Sequence, residues 1–410
     1  MIRLLCVTVA PSALAMNDKG SDMVSRRRSP AYGIGAGAIL AVALAACSSP
    51  VLAATATARG LPAKVAIYSI QDLSGPAATP GLDDERGDQL AVADINREKF
   101  LGSTKLTISF GDSATDPTTA AAVASRVATA HDPIVIGPPA SSSAVAVAPI
   151  MAKAGQPTIF TQAGSAGVLV SPDIYRLTTL QTSLYPLVMK WLGAQKVKTV
   201  AVIQDSDIPT DAELTSELKA DGATYGFKVV GVESVLAAQS NIASAMSSVL
   251  TAHAQALALN VITTQNATAA TLAQQGGFSG PIIAEEGAAN DVLAPAGSAA
   301  NGIVWASDWM AGAPGQMSAI FTREYEAAYH AAPSNWAAES YDAVWFAARG
   351  LKQADSTSPA KVQAALTSVG TAGFTGVLGK ITVVGGQEKT KPLLISWKNG
   401  SQSVMANQNP

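Results

Sequence analysis

Short runs that are apolar almost throughout, each followed by a stretch with helical spacing, recur along this chain and restrict it to an α/β fold with mainly parallel sheets. A strand buried on both faces shows no polar alternation, because helices cover both sides of its sheet. Residues 64–70 form the first such run. A Gly/Pro loop at 74–81 and a helix at 87–99 follow, with Leu90, Ala91 and Ile95 on one face. Residues 106–110 read as a strand, and Asp116 and Pro117 open a helix with a capping carboxylate and a first-turn proline; Val123 and Val127 share its face. Strands are expected at 134–136, 158–161 and 175–178, with a helix at 141–153 interrupted by Pro149. A second unit carries strands at 199–204, 229–233, 256–262 and 281–284 and a helix near 242–253. After a strand at 302–306 the pattern turns helical at 316–330, 336–353 and 359–368, then β-like at 378–384 and 393–397, so the tail revisits both units. No repeat of solenoid or propeller length is present.

Ahead of this lies an export signal. Arg26, Arg27 and Arg28 precede an uncharged apolar run that ends Leu44-Ala45-Ala46-Cys47, the order of a basic region, a hydrophobic region and a small-residue cleavage box with the cysteine that receives lipid in a bacterial lipoprotein. The run has about 16 apolar residues against the roughly 20 of a membrane-spanning helix, which disfavours a plain anchor. Arg26-Arg27 also fits a twin-arginine signal, although Ser29 and Pro30 supply none of the apolar character expected after it. Residues 1–46 are therefore read as a signal peptide with Met23 the better start, and 47–62, rich in Ser, Ala and Thr, as a lipidated tether. The leader holds Arg3, Lys19 and Arg26 to Arg28 but only Asp18 and Asp22, so the mature chain is more acidic than the whole chain's net charge of −3. Without a basic cluster, nucleic acid is not an expected partner. Cys6 leaves with the leader and Cys47 takes lipid, so no disulfide is expected.

Catalysis needs named groups in company, and this chain brings few together. His131, His253 and His330 are scattered singly, which argues against metal ligation. Neither a nucleophile elbow nor a phosphate-binding loop occurs; Gly33, Gly35 and Gly37 lie inside the signal and follow no strand. Asp83, Asp84, Glu85, Arg86 and Asp88 read as a solvated loop before the first helix, with cation binding the alternative. No enzyme activity and no cofactor are expected.

What remains is polar loops at strand ends, where open α/β sheets receive ligands. Ser141, Ser142 and Ser143 follow Pro138-Pro139-Ala140 and bring hydroxyls and free backbone N–H groups to a helix start suited to a carboxylate; a helix cap is the ordinary alternative for Ser141. Thr161 to Ser165 holds the equivalent place after the next strand, and Glu285-Glu286-Gly287 does so in the second unit, where a carboxylate can face a ligand ammonium.

At these residues the chain resembles the leucine/isoleucine/valine-binding proteins of ABC importers, a family of type I periplasmic binding proteins. The resemblance runs from about Lys64 onward and is carried by Leu73-Ser74-Gly75-Pro76, Gln89 to Asn96, Asp116-Pro117, Val135-Ile136-Gly137 with the triple serine, Glu286-Gly287 and Ser340-Tyr341-Asp342-Ala343. The stretch Ala91-Val92-Ala93-Asp94-Ile95-Asn96 is the most specific of these. It implies two lobes, each a mainly parallel sheet flanked by helices: lobe I from 63–178 and 307–375, lobe II from 179–306 and 376–410, with hinge crossings near Thr178, Ala306 and Thr375. It also implies that Ser141, Ala163 and Ser165 grip a ligand's α-carboxylate and α-ammonium and that Glu286 completes the ammonium shell; Ser142 and Asp205 join the expected ligand set. The wall aromatics of the family fall on Pro80 and Pro209, and its lobe-one disulfide falls on Thr115 and Ala140. Altered walls imply a small amino acid other than leucine or valine, or a related amide, with drifted specificity the alternative. The expectation is a monomeric, exported, lipid-anchored binding protein that closes on a small polar ligand and presents it to a permease with its ATPase subunits. A sensor of the same fold signalling to a membrane receptor is the alternative. A hydrolase using Ser141 or Ser165 beside Glu286 is remote, since no histidine lies near either serine in sequence. Trp305, Trp309, Trp336 and Trp345 are expected to pack in the core, with one available to shield the cleft.

Overall fold

Two buried sheets organise the chain in the computed structural model, which describes residues 60–130 and 132–405. The expected leader, Met23, Cys47, nearly all of the tether and His131 lie outside the described residues. The first sheet starts with β1 (Lys64–Gln71), α1 (Ala78–Arg97), β2 (Lys105–Asp112), α2 (Pro117–Ala130), β3 (Val135–Ile136), α3 (Ser141–Ala154), β4 (Thr158–Phe160) and β5 (Ile174–Arg176). The chain crosses into α4 (Gln181–Ala194), β6 (Thr199–Asp205), α5 (Pro209–Asp221), β7 (Lys228–Val235), α6 (Ala243–Thr251), β8 (Ala256–Asn260), α7 (Thr264–Gln275), β9 (Ile282–Ala284) and β10 (Val304–Ser307). It returns through α8 (Gln316–Tyr329), α9 (Asn335–Ala354), α10 (Pro359–Ala372), β11 (Phe374–Gly376), β12 (Gly379–Val384) and β13 (Gln387–Lys389), and ends in β14 (Leu393–Lys398) and β15 (Ser401–Val404).

The sheet orders are β11-β12-β13-β5-β4-β3-β1-β2 and β15-β14-β10-β9-β8-β6-β7. The β1 to β5 and β6 to β10 pairings are parallel; from the tail, β13 joins β5 in parallel with β12 and β11 antiparallel beyond it, and β14 and β15 add antiparallel strands beside β10. This is the two-lobed type I periplasmic-binding-protein architecture. In each parallel set the strand order reverses beside the first strand, between β1 and β3 and between β6 and β8, and such a switch point opens a crevice at the carboxyl ends of the strands. The strand interiors are buried as the unbroken apolar runs require: Val200, Ala201, Val202 and Ile203 are at most 1 % exposed.

Three differences from the sequence expectations have physical causes. The first helix begins at Ala78, so Pro80 lies in its first turn and the charge run lies inside it. Asp88 accepts from Ser69 Oγ (2.6 Å) and Gln71 Nε2 (3.1 Å), and Asp84 accepts from Ser340 Oγ (2.7 Å), so these carboxylates are buried partners of neighbouring elements and not a solvated loop. Gly81 and Gly87 permit that close approach: a Cβ there would lie 2.0 Å from the Asp72 carbonyl oxygen and 2.2 Å from that of Ala337. Second, α4, α5 and α7 were not anticipated; in α5 the Pro209 at its start was the available signal. Third, the last crossing is not near Thr375. The Arg176 N–H donates to the Gly386 carbonyl (2.7 Å) and Gln387 pairs with Arg176, so residues 374–389 belong to the first sheet and the chain passes to the second at residues 390–392. An edge strand with free hydrogen-bonding groups captured a segment that reads in sequence only as generic β.

Candidate functional site

The carboxyl ends of the two parallel sets face each other across one small cavity. Ala77 follows β1, Pro139 to Ser141 follow β3, Gln162 follows β4, Ile208 to Asp211 follow β6, Ile262 follows β8 and Glu285 to Gly287 follow β9; Gln181 and Trp336 open α4 and α9. The enclosed volume is about 50 Å³. Ala77 and Ile208 line the cavity, while the expected wall residues Pro80 and Pro209 do not. Trp305, Trp309 and Trp345 are buried in the core, and Trp336 is the tryptophan at the cavity.

Ser141 begins α3 without capping it. Its Oγ accepts from the Ser165 N–H (3.2 Å) and bonds to Thr210 Oγ1 (2.5 Å) on α5, so this hydroxyl ties two lobe-one loops to lobe two. Ser165 is buried and donates through Oγ to Glu213 Oε1 (2.6 Å), a second bond across the cleft. A third crosses where Thr263 donates to the Pro76 carbonyl (3.2 Å), and within lobe two Gln181 Nε2 donates to Glu286 Oε2 (2.8 Å). The three interlobe contacts hold the lobes together around the cavity.

The remaining expected residues stand further off. Ala163 is fully buried behind the cavity, where its carbonyl accepts from Arg176 Nη1 (3.0 Å). Ser142, half-buried on α3, does not line the cavity. Asp205 also does not; it is buried at the end of β6 and accepts from the Ile262 N–H (2.9 Å). Burial lifts its pKa to about 7, opposed by that N–H. Its influence on the cavity is electrostatic, since its charge raises both Asp211 and Glu285. Of the expected set, Ser141 and Glu286 meet at the cavity itself.

Sequence reading missed Thr210, Asp211 and Glu213 along with α5. Asp211 is held far above the ordinary carboxylate range by burial and then by the charge of Glu285, and burial pushes Glu285 to about 8. Arg176 was also missed. Its guanidinium is buried, donates to the Ala163 and Ser165 carbonyls and to Gln387 Oε1 (2.8 Å from Nε), and is pulled down to about 10 by burial. It sets the 163–165 loop against β13.

Below the cavity the three crossings meet at buried acids. Thr179 on the first crossing donates its N–H to Asp308 (3.3 Å) on the second and its hydroxyl to Glu388 (3.2 Å) beside the third. Carboxylate oxygens of Glu286, Asp308 and Glu339 lie within 4.8 Å of one another, and among the described residues this is the grouping compact enough for a cation. Burial and then the charge of Asp308 raise Glu286 and Glu339 far above their usual range. Burial takes Asp308 to about 7 and Glu388 to about 8.

Comparison with known proteins agrees with this fold. The family model described as periplasmic binding protein matches residues 64–393. The leucine-, isoleucine-, valine-, threonine- and alanine-binding protein of Pseudomonas aeruginosa is 25 % identical over 313 residues, 74 % of this chain and 83 % of that protein. Among solved structures, a leucine-binding protein from Thermotoga maritima is 20 % identical with a TM-score of 0.77, covering 83 % of this chain and 98 % of that one. A solute-binding protein from R. palustris, crystallised with benzoate, has the same TM-score at 18 % identity, covering 83 % and 95 %.

Proposed function

Because the chain belongs to the periplasmic binding protein family and so binds a small molecule outside the cytoplasm, we propose that its ligand is a small amino acid or a related amide, captured between the lobes for delivery to an ABC permease. The observation that carries this reading is the cavity shared by both switch points, lined by Ser141 at the start of α3 and by Glu286 just after β9. A helix N-terminus with a hydroxyl suits a carboxylate, and a buried glutamate suits an ammonium. The pair is matched to a zwitterion. No lysine or arginine lines the cavity, which disfavours an aromatic carboxylate such as the benzoate held by the R. palustris protein.

Capture needs no bond to form or break. Closure is a population shift toward the bonded state of Ser141 with Thr210 and Ser165 with Glu213, driven by contacts a ligand makes with both lobes at once. Release at a permease follows when those bonds are exchanged for contacts with the transporter. Lipid attachment at Cys47 would keep the protein beside that transporter.

A thermal-shift screen of amino acids, amides and small carboxylates tests this. A ligand at 100 times its Kd stabilises the folded state by about 2.7 kcal/mol. The expected result is a shift with one or a few amino acids that is weakened in Ser141→Ala and Glu286→Gln. A shift with benzoate-like acids alone, or with amino acids but unaltered by both substitutions, overturns the reading.

A further inference from the structure

The cavity has more acceptors than a single ammonium can satisfy. Glu286 is engaged, receiving Gln181 Nε2 at one oxygen and the Asp308 N–H at the other (3.3 Å). Asp211 Oδ2 and Glu285 Oε1, both on the lobe-two wall, have no hydrogen-bond partner. From the opposite lobe, Gln162 Oε1 is likewise unpaired, and this side chain is 8 % exposed. Its amide orientation follows from its other end: Nε2 donates to the Trp336 carbonyl (3.3 Å), which leaves the oxygen as an open acceptor. Buried acceptors are rarely left without donors, and unpaired carboxylates are the costliest to leave so. With the two acids ionised, every unpaired side-chain oxygen at this cavity requires a donor, and no basic side chain of the protein lines it to supply one.

We propose that the ligand carries a second cationic nitrogen, making it a short-chain diamino acid whose distal ammonium is held by Asp211, Glu285 and Gln162. This rests on the amino-acid reading above and deepens it: Ser141 and Glu286 serve the α-groups, and the second acidic pair serves the side chain. Gly287 supports that pair, because a Cβ at this position would lie 2.3 Å from Glu285 Oε1. The volume of about 50 Å³ compares with about 10–15 Å³ for one water on the same measure, so few atoms separate the two nitrogens. The raised pKa values of Glu285 and Asp211 are what burial produces before a cation arrives; a bound ammonium restores their charge.

The test is calorimetric titration of the purified protein with 2,4-diaminobutyrate, ornithine, alanine and leucine. The expected result is that a diamino acid binds at least tenfold tighter than either neutral amino acid. In Asp211→Asn and Glu285→Gln, whose folding is checked by thermal midpoint, that ratio falls toward one. Equal or tighter binding of alanine or leucine by the wild type overturns the inference while leaving amino-acid capture intact, and binding of none of the four overturns both. A ratio unchanged in folded variants also overturns it. The wild-type comparison decides the question by itself where a variant does not fold.

Discussion

Replacing Arg176 by methionine removes the donors that shape the ligand loop while keeping a long side chain in place. The carbonyls of Ala163 and Ser165 and Gln387 Oε1 then lose a buried partner. Each buried acceptor left unpaired costs about 1–3 kcal/mol. Against this, the wild type holds a guanidinium in the interior, and the fall of its pKa to about 10 puts that cost near 3 kcal/mol at about 1.4 kcal/mol per unit. At about 2 kcal/mol for each of the three acceptors, less that offset, the net expectation is a loss of about 3 kcal/mol. Arg176→Lys keeps the charge but not the planar fork, so it recovers part of the loss. Urea unfolding reads the stability as a lower midpoint, and titration of the ligand reads the loop, which ceases to hold Ser165 toward Glu213. Stability within about 0.5 kcal/mol of wild type, the spread of ordinary surface substitutions, together with unchanged binding, would refute the claim that this arginine sets the site.

Other expectations follow from the same contacts. Thr210→Ala removes the interlobe bond to Ser141; at about 1 kcal/mol it shifts the closed population about fivefold toward open, seen as a larger radius in small-angle scattering and weaker binding, and an unchanged radius with unchanged affinity counts against the contact. Asp308 and Glu388 have folded pKa values near 7 and 8, above their unfolded values, so the folded state keeps protons that the unfolded chain loses. Their contribution is complete below about pH 4 and lost as the pH rises through 8, so the ligand-free thermal midpoint should fall between pH 5 and pH 9, by about 5 °C or more; a midpoint that rises over this range contradicts the buried-acid hinge. Gly287→Ala pushes the Glu285 carboxylate aside and should weaken binding about tenfold, about 1.4 kcal/mol, measured by titration, with wild-type affinity showing that the carboxylate has room to move.

Much of the framework was legible because it depends on local chemistry. Asp116 caps α2 as read, its carboxylate accepting from the Thr119 N–H (2.7 Å), and Val123 and Val127 are buried on the face their spacing placed together. The strand ends carrying Ser141 and Glu286 could be found because the runs before them are unbrokenly apolar. Asp84 and Asp88 misled because their partners, Ser340 and Ser69, stand far along the chain or in another element, so a charge run that buries half its carboxylates looks like one that buries none. α5 was invisible as an amphipathic pattern, since Thr210, Asp211 and Thr215 are buried polar residues on the side that faces the cleft and sheet.

The order of the parallel strands and of the helices other than α4, α5 and α7, the apolar interiors and the two strand-end loops were determined by the amino-acid sequence alone, because each rests on neighbours a few residues apart. The tertiary structure alone decided which edge strand takes up residues 374–389, how Arg176 and Thr179 join distant crossings, and which carboxylates meet at one cavity. Those outcomes depend on hydrogen bonds and burial between groups up to 211 residues apart, which no local pattern encodes.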